Sequence, residues 1–178
     1  MNNKIKAYIG MGSNLGDGKK TLQDAWENLG KQAGIECLKL SSPYLSAPVD
    51  MVSQNWFTNA VGMLATSLSP VDLLRLLLTV EAEFGRRRPE TDMGYQDRSL
   101  DLDLLYFGEI VMDSEELILP HPHIPKRLFV LEPLAELDAG FCDYATGLTV
   151  GEMVGRLQQS FVQDDNDKQA INRSSWSD

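Results

Sequence analysis

Arg98-Ser99-Leu100-Asp101-Leu102-Asp103-Leu104-Leu105-Tyr106-Phe107 sets two carboxylates two residues apart inside a run of leucines. Side chains alternate faces along a strand, so Asp101 and Asp103 point the same way and Leu100, Leu102 and Leu104 fill the opposite face. Two carboxylates side by side repel, and burying the pair is costly unless something positive sits between them. Hard cations such as Mg²⁺ bind through carboxylate oxygens and substrate phosphates, which suits the pair. The alternative is an exposed strand with a solvated acidic face. The apolar run through Leu105, Tyr106 and Phe107 favours a central strand instead.

Ahead of this strand, Arg86 to Asp97 reads as a loop, with Pro89, Gly94 and interspersed charge. A charged loop of about a dozen residues in a compact domain is commonly functional, and its glycine and charge suggest a lid. Four of the eight arginines fall between Arg86 and Arg98, diluted by Glu90, Asp92 and Asp97. Ser69-Pro70-Val71-Asp72 starts a helix with a capping serine, proline at the first helical position and an acid in the first turn. That helix runs to about Phe84, and Gly85 ends it. Asn55 to Thr66 predicts a strand on which Phe57, Asn59, Val61 and Met63 share a face. Asn59 is either a satisfied core amide or a reader of a flat polar heterocycle, offering donor and acceptor together. Ile35 to Ala47 predicts one long strand ending at Pro48, and Val49 to Gln54 a loop. Lys19 to Ala33 predicts a helix with Leu22, Ala25, Trp26 and Leu29 at helical spacing, stopped by Gly34.

Lys4 to Met11 predicts the first strand. The glycines at 10, 12 and 16 are spaced one residue too long for a dinucleotide fingerprint. They are read as a tight turn where backbone passes close to something. Downstream of the Asp-Leu-Asp strand, Gly108-Glu109 turns into Ile110-Val111-Met112, and Glu116 to Leu119 adds an edge strand. His121 and His123 sit in a proline-punctuated turn, with no third His or Cys nearby to make zinc a candidate. Arg127 to Leu137 predicts a short helix interrupted at Pro133. Thr149 caps a last helix from Val150 to about Gln159. From Gln163 the composition predicts a disordered tail, 163–178, after a single domain, 1–162. The order β-α-β-β-α-β is ferredoxin-like: an α+β fold with helices on one face of an antiparallel sheet, and an additional C-terminal helix over part of the other.

The chain has 178 residues, enough for one sizeable core. Its formal net charge of −10 disfavours a nonspecific nucleic-acid or anionic-membrane binder. No apolar run approaches the ~20 residues of a membrane span, and the N-terminus lacks the apolar region of a signal peptide. Cys37 and Cys142 form no ligand motif and are read as buried and reduced, so a cytoplasmic protein is expected.

These pieces together resemble the 6-hydroxymethyl-7,8-dihydropterin pyrophosphokinase family. The resemblance is carried by Gly12-Ser-Asn-Leu-Gly16, Asn59-Ala-Val61, Arg98-Ser-Leu-Asp-Leu-Asp103, Pro120-His-Pro122 and Arg127-Leu-Phe129-Val-Leu-Glu-Pro133-Leu, and covers roughly residues 4 to 160. It implies transfer of the β,γ-diphosphate of ATP to the pterin hydroxymethyl group, with release of AMP. It implies that Asp101 and Asp103 hold two Mg²⁺ ions bridging the ATP phosphates. Arg86, Arg98 and Arg127 would be bidentate donors to phosphate. His121 would donate to phosphate, and Glu81 would face the nucleotide. Of Arg87 and Arg88, one reaches phosphate, with Arg88 the candidate, and the other is solvated. Phe57 and Phe129 would sandwich the pterin, Asn59 would pair with its edge, and Ser46, Ala47 and Val49 would complete the pocket.

One departure stands out. The family usually places Gly-Pro before the arginine at position 98, where this chain has Gln96-Asp97. Tyr95 falls where some members carry a tryptophan over the site. Two other readings compete. An RNA-binding ferredoxin-like domain would need exposed aromatics on its central strands and a basic face. A generic two-metal phosphohydrolase would gather more carboxylate or His ligands. No second folate-enzyme domain is visible, so a monofunctional, monomeric enzyme is expected.

Overall fold

The computed structural model describes residues 4–49, 53–85, 97–163 and 169–177. Chain order is β1 (Ile5–Ser13), α1 (Gly18–Gly30), β2 (Ile35–Leu40), β3 (Tyr44–Ser46), β4 (Phe57–Thr66), α2 (Pro70–Glu83), β5 (Asp101–Phe107), β6 (Met112–Asp113), β7 (Ile118–Leu119), a 3₁₀ turn (Ile124–Lys126), α3 (Leu128–Asp138), α4 (Val150–Gln163) and β8 (Ile171–Arg173). The main sheet runs β5-β1-β4-β3-β8, with β2 also paired to β4. Every pairing in it is antiparallel. The ferredoxin-like α+β expectation holds.

The sheet is covered on both faces. Ala7, Ile9 and Met11 of β1 point into a core shared with Leu22, Ala25 and Leu29 of α1 and Leu73, Leu77 and Val80 of α2. Tyr8 of β1, Val61 and Met63 of β4, and Leu105 and Tyr106 of β5 point the other way, against Val130, Leu131 and Leu134 of α3 and Val150 and Met153 of α4. Two helices therefore cover the second face, not the C-terminal helix alone. Strict alternation on β5 ends at a bulge: Ile9 pairs with Leu104, but Tyr8 pairs with Tyr106. Leu105 is the extra residue, so Leu105 and Tyr106 share a face and Phe107 returns to the first core. Gly62 is needed by packing, since a Cβ there would run into the Trp26 ring.

Three expectations are corrected. The long strand 35–47 is two strands, β2 and β3, lying end to end along β4. Between them Ser41 keeps the ladder going: its backbone N–H donates to the Val61 carbonyl, and its Oγ accepts from the Val61 N–H at 2.9 Å. Pro43, which has no N–H, follows the break. Helix α3 continues through Pro133 without interruption; the missing N–H would have met the Phe129 carbonyl, one turn from the helix start. The tail is not wholly disordered, because β8 pairs with β3 and the Trp176 Nε1–H donates to the Ser41 carbonyl at 2.9 Å. Among the described residues, no helix is long and apolar enough to cross a membrane.

Candidate active site

The sheet register lines up the chemistry. Asp101 of β5 lies opposite Gly12 of β1, Gly12 opposite Asn59 of β4, and Asn59 opposite Tyr44 of β3. Asp103 lies opposite Gly10. Glycines therefore stand beside both carboxylates, so no β1 side chain fills the floor between the aspartates and Asn59. A Cβ at Gly12 would reach to 3.4 Å from Asn59 Oδ1 and 3.9 Å from Asp101 Cβ. Those are ordinary van der Waals distances; the close approach that the glycine turn suggested falls at Gly18, where a Cβ would lie 2.9 Å from Thr58 Cβ.

A hollow opens above this floor, lined by Gly12, Ser46, Ala47, Val49, Phe57, Asn59, Arg98, Asp101, Asp103, Arg127 and Phe129. Every described residue expected to hold a pterin is here. Asn59 is buried, and its Nδ2–H donates to Ser46 Oγ at 2.9 Å, which orients the amide at the wall. The Arg127 guanidinium lies 5.6 Å from the centre of the Phe129 ring, within cation–π range. A second cleft lies on the far side of the carboxylates and is lined by Glu81, Asp101, Asp103, Glu115, Glu116, Ile118 and His121, among others. Asp101 and Asp103 thus form a partition shared by two hollows.

The electrostatics centre on that partition. Arg98 Nη1 donates to Asp101 Oδ2 at 2.8 Å. Burial, then the Asp101 charge, pushes the Asp103 carboxyl up to about 7. Its side chain is still 35% exposed, so the cleft reaches it although protein surrounds its other sides. His121 is held down at about 4, by burial first and then by the Arg127 charge. Its Nδ1 accepts from the His123 N–H at 3.3 Å, so the neutral ring carries its proton on Nε2, 3.9 Å from Asp103 Oδ1. His121 is a neutral donor aimed at the partition. Glu81, buried in α2, accepts the Leu102 N–H at 2.7 Å, between the two aspartates. It anchors the strand that carries them as well as facing the second cleft.

Several positioning residues were assigned no role from the sequence. Asn14 and Arg98 exchange bonds: the Asn14 N–H donates to the Arg98 carbonyl, and the Arg98 N–H donates to Asn14 Oδ1 at 2.7 Å. Asp97 accepts from Asn14 Nδ2, Ser53 Oγ and Asn55 Nδ2, which holds its carboxyl below the usual range, the Ser53 bond contributing most. The residue that departs from the Gly-Pro pattern therefore joins the glycine turn, the approach to β4 and the start of β5. Arg86, Arg88 and Tyr95, with the expected lid up to residue 96, lie outside the described residues.

The model of one family, 7,8-dihydro-6-hydroxymethylpterin-pyrophosphokinase (HPPK), matches residues 8–139. The chain is 42% identical over 131 residues to a 2-amino-4-hydroxy-6-hydroxymethyldihydropteridine pyrophosphokinase of Bacillus subtilis (strain 168), covering 74% of this chain and 77% of that protein. It is 35% identical to the protein of that description from Methylorubrum extorquens, over 89% of this chain and 97% of that one. It is also 41% identical to the folic acid synthesis protein fol1 of Pneumocystis carinii, of whose length it spans only 20%. Among solved structures, Plasmodium falciparum HPPK-DHPS wild type with pteroate aligns with a TM-score of 0.76 at 11% identity, over 96% of this chain. That likeness is one of fold, and the chain spans 48% of the solved one.

Proposed function

We propose a division of labour among these residues from one premise: the chain belongs to the 7,8-dihydro-6-hydroxymethylpterin-pyrophosphokinase family. Its reaction is pyrophosphoryl transfer from ATP to hydroxymethyldihydropterin, in folate biosynthesis. The pterin hydroxymethyl oxygen bonds to the β-phosphorus, the bond from that phosphorus to the α-phosphate oxygen breaks, the hydroxyl proton is lost, and AMP leaves. The pterin lies in the hollow between Phe57 and Phe129, with its polar edge on Asn59. The ATP phosphates reach the partition from the Glu81 and His121 side.

The donor set fits Mg²⁺. No group of three or more His, Cys, Asp or Glu converges as a metal cluster among the described residues. Mg²⁺ does not need one, because it is commonly bound by one or two carboxylates with substrate phosphates. Asp101 and Asp103 share a face, and Asp103 is raised first by burial and then by its neighbour's charge, a repulsion that a bound cation would relieve. They would hold two ions, which when bound supply charge neutralisation at the phosphates. Arg98, which bonds Asp101, and Arg127, which lines the same hollow, would clamp phosphoryl oxygens at the partition. His121 donates Nε2–H without adding charge. Glu81 keeps the two aspartates at a fixed height by holding Leu102 between them.

The observation that carries this reading is the shared partition: one carboxylate pair lining both the aromatic hollow and the second cleft. AMP formation by the purified protein tests it, run with and without the pterin alcohol and across a Mg²⁺ titration. The reading expects AMP only when both the alcohol and Mg²⁺ are present. Mn²⁺ binding followed by electron paramagnetic resonance, with a nonhydrolysable ATP analogue, should count two ions, and fewer in Asp101→Asn. AMP formed without Mg²⁺, or an unchanged ion count in Asp101→Asn, would refute the assignment.

A further inference from the structure

Residues 169–173 touch both walls of the aromatic hollow. On one wall the Ala47 N–H donates to the Ala170 carbonyl at 3.0 Å, and β8 continues the pairing with Ile171 opposite Ser46. On the other, the Gln169 side chain bridges the start of α3. Its Oε1 accepts the Leu128 N–H at 2.9 Å, and its Nε2–H donates to the Lys126 carbonyl at 2.7 Å. Those two bonds bracket Arg127, and Phe129 follows one residue later. The Leu128 N–H is one of the donors at a helix start that lack an intrahelical partner, and Arg127 makes no side-chain cap there. A planar amide with one donor and one acceptor suits this pair of backbone groups. Two adjacent residues, Gln169 and Ala170, thus tie the Arg127–Phe129 wall to the Ser46–Ala47 wall.

We infer that Gln169 is a positioning residue for the transfer reaction. It fixes the backbone on either side of Arg127 and, through Ala170 and β8, sets the spacing between the Phe129 and Ala47 walls. This rests on the reading that the hollow is the pterin site. Gln169 touches no reacting atom, so its effect is indirect. Loss of its two bonds lets Arg127 and Phe129 sample other positions, and the pterin must then restrain them on binding.

Steady-state kinetics and thermal melts on the full chain test the idea with three variants. Gln169→Ala removes both bonds, and pterin KM should rise about five- to tenfold, the worth of one or two backbone hydrogen bonds. Gln169→Glu keeps an acceptor for Leu128 but cannot donate to Lys126, so its KM should fall between those of wild type and Gln169→Ala. Phe129→Ala tests the parent reading, and pterin KM should rise steeply. A wild-type pterin KM in Gln169→Ala, with Phe129→Ala impaired, overturns the positioning role and leaves the pocket assignment standing. A wild-type KM in Phe129→Ala overturns both. If Gln169→Ala does not fold, Gln169→Glu decides: a wild-type KM despite a lowered melting temperature makes Gln169 a helix cap and nothing more.

Discussion

Asp103 and His121 carry opposite pH signatures. An unfolded aspartate ionises near 3.8, whereas Asp103 in the folded chain is pushed up to about 7. Between those values the unfolded chain has lost a proton that the folded chain still holds, so this group makes stability fall as pH rises. His121 runs the other way: its ordinary 6.5 is depressed to about 4, so its contribution is lost as pH falls through that window. The two slopes oppose each other below 6.5, leaving the Asp103 loss exposed just above. In chelator, the wild-type melting temperature should decline from about pH 6.5 to about pH 8, and Asp103→Asn should flatten that decline. Parallel curves for the two proteins would place the titration elsewhere. Asn59 offers a second test at this scale. On the proposed reading, Asn59→Leu leaves the polar edge of the pterin without a partner, which costs about 1–3 kcal/mol. Calorimetry should show pterin affinity down about tenfold or more with ATP affinity nearly unchanged. An equal loss for both ligands would mean that β4 had been distorted.

Helix α4 begins with a reciprocal cap: Thr149 Oγ1 accepts the Glu152 N–H, and Glu152 Oε2 accepts the Thr149 N–H at 2.8 Å. Because α4 packs behind α3, with Val150 and Met153 in the second core, it supports the site without touching it. Thr149→Ala should therefore cost about 1 kcal/mol in urea unfolding while leaving both KM values unchanged. A shift in either KM would show that α4 steers α3. Caps and periodicity made this helix, α1, α2, β1, β4 and β5 readable in advance. The break between β2 and β3 was missed although Ser41-Ser42-Pro43 marks it, since a proline inside a strand run argues against one continuous strand. Strand β8 was missed for a different reason. Ile171-Asn172-Arg173 has no hydrophobic rhythm, and its pairing rests on backbone groups that every residue possesses. Within the site, the carboxylate pair could be argued from strand geometry alone. Phe57 and Phe129 could not, since two phenylalanines in a pattern read first as core. The roles proposed for them rest on the family resemblance.

Across the whole molecule, the site is drawn from distant parts of the chain, and side-chain links between segments hold it together. Asp97 is one of these, joining Asn14, Ser53 and Asn55. No single segment could have advertised that role. Asp97→Ala should release the glycine turn and the approach to β4 together, lowering kcat and raising the KM for both substrates severalfold. Amide exchange should quicken at Asn14 and Arg98. Unchanged exchange at both would reduce Asp97 to a surface residue. The pairing of β8 with β3 has a consequence for synthesis. A ribosome that has translated as far as α4 has already made both aspartates, Asn59 and the two phenylalanines. The edge of the sheet beside Ser46 is nonetheless open until residues 171–173 emerge, and Ser41 waits longer still for Trp176. The nascent chain thus holds most residues of the candidate site before residues 171–176 reach the sheet edge beside it.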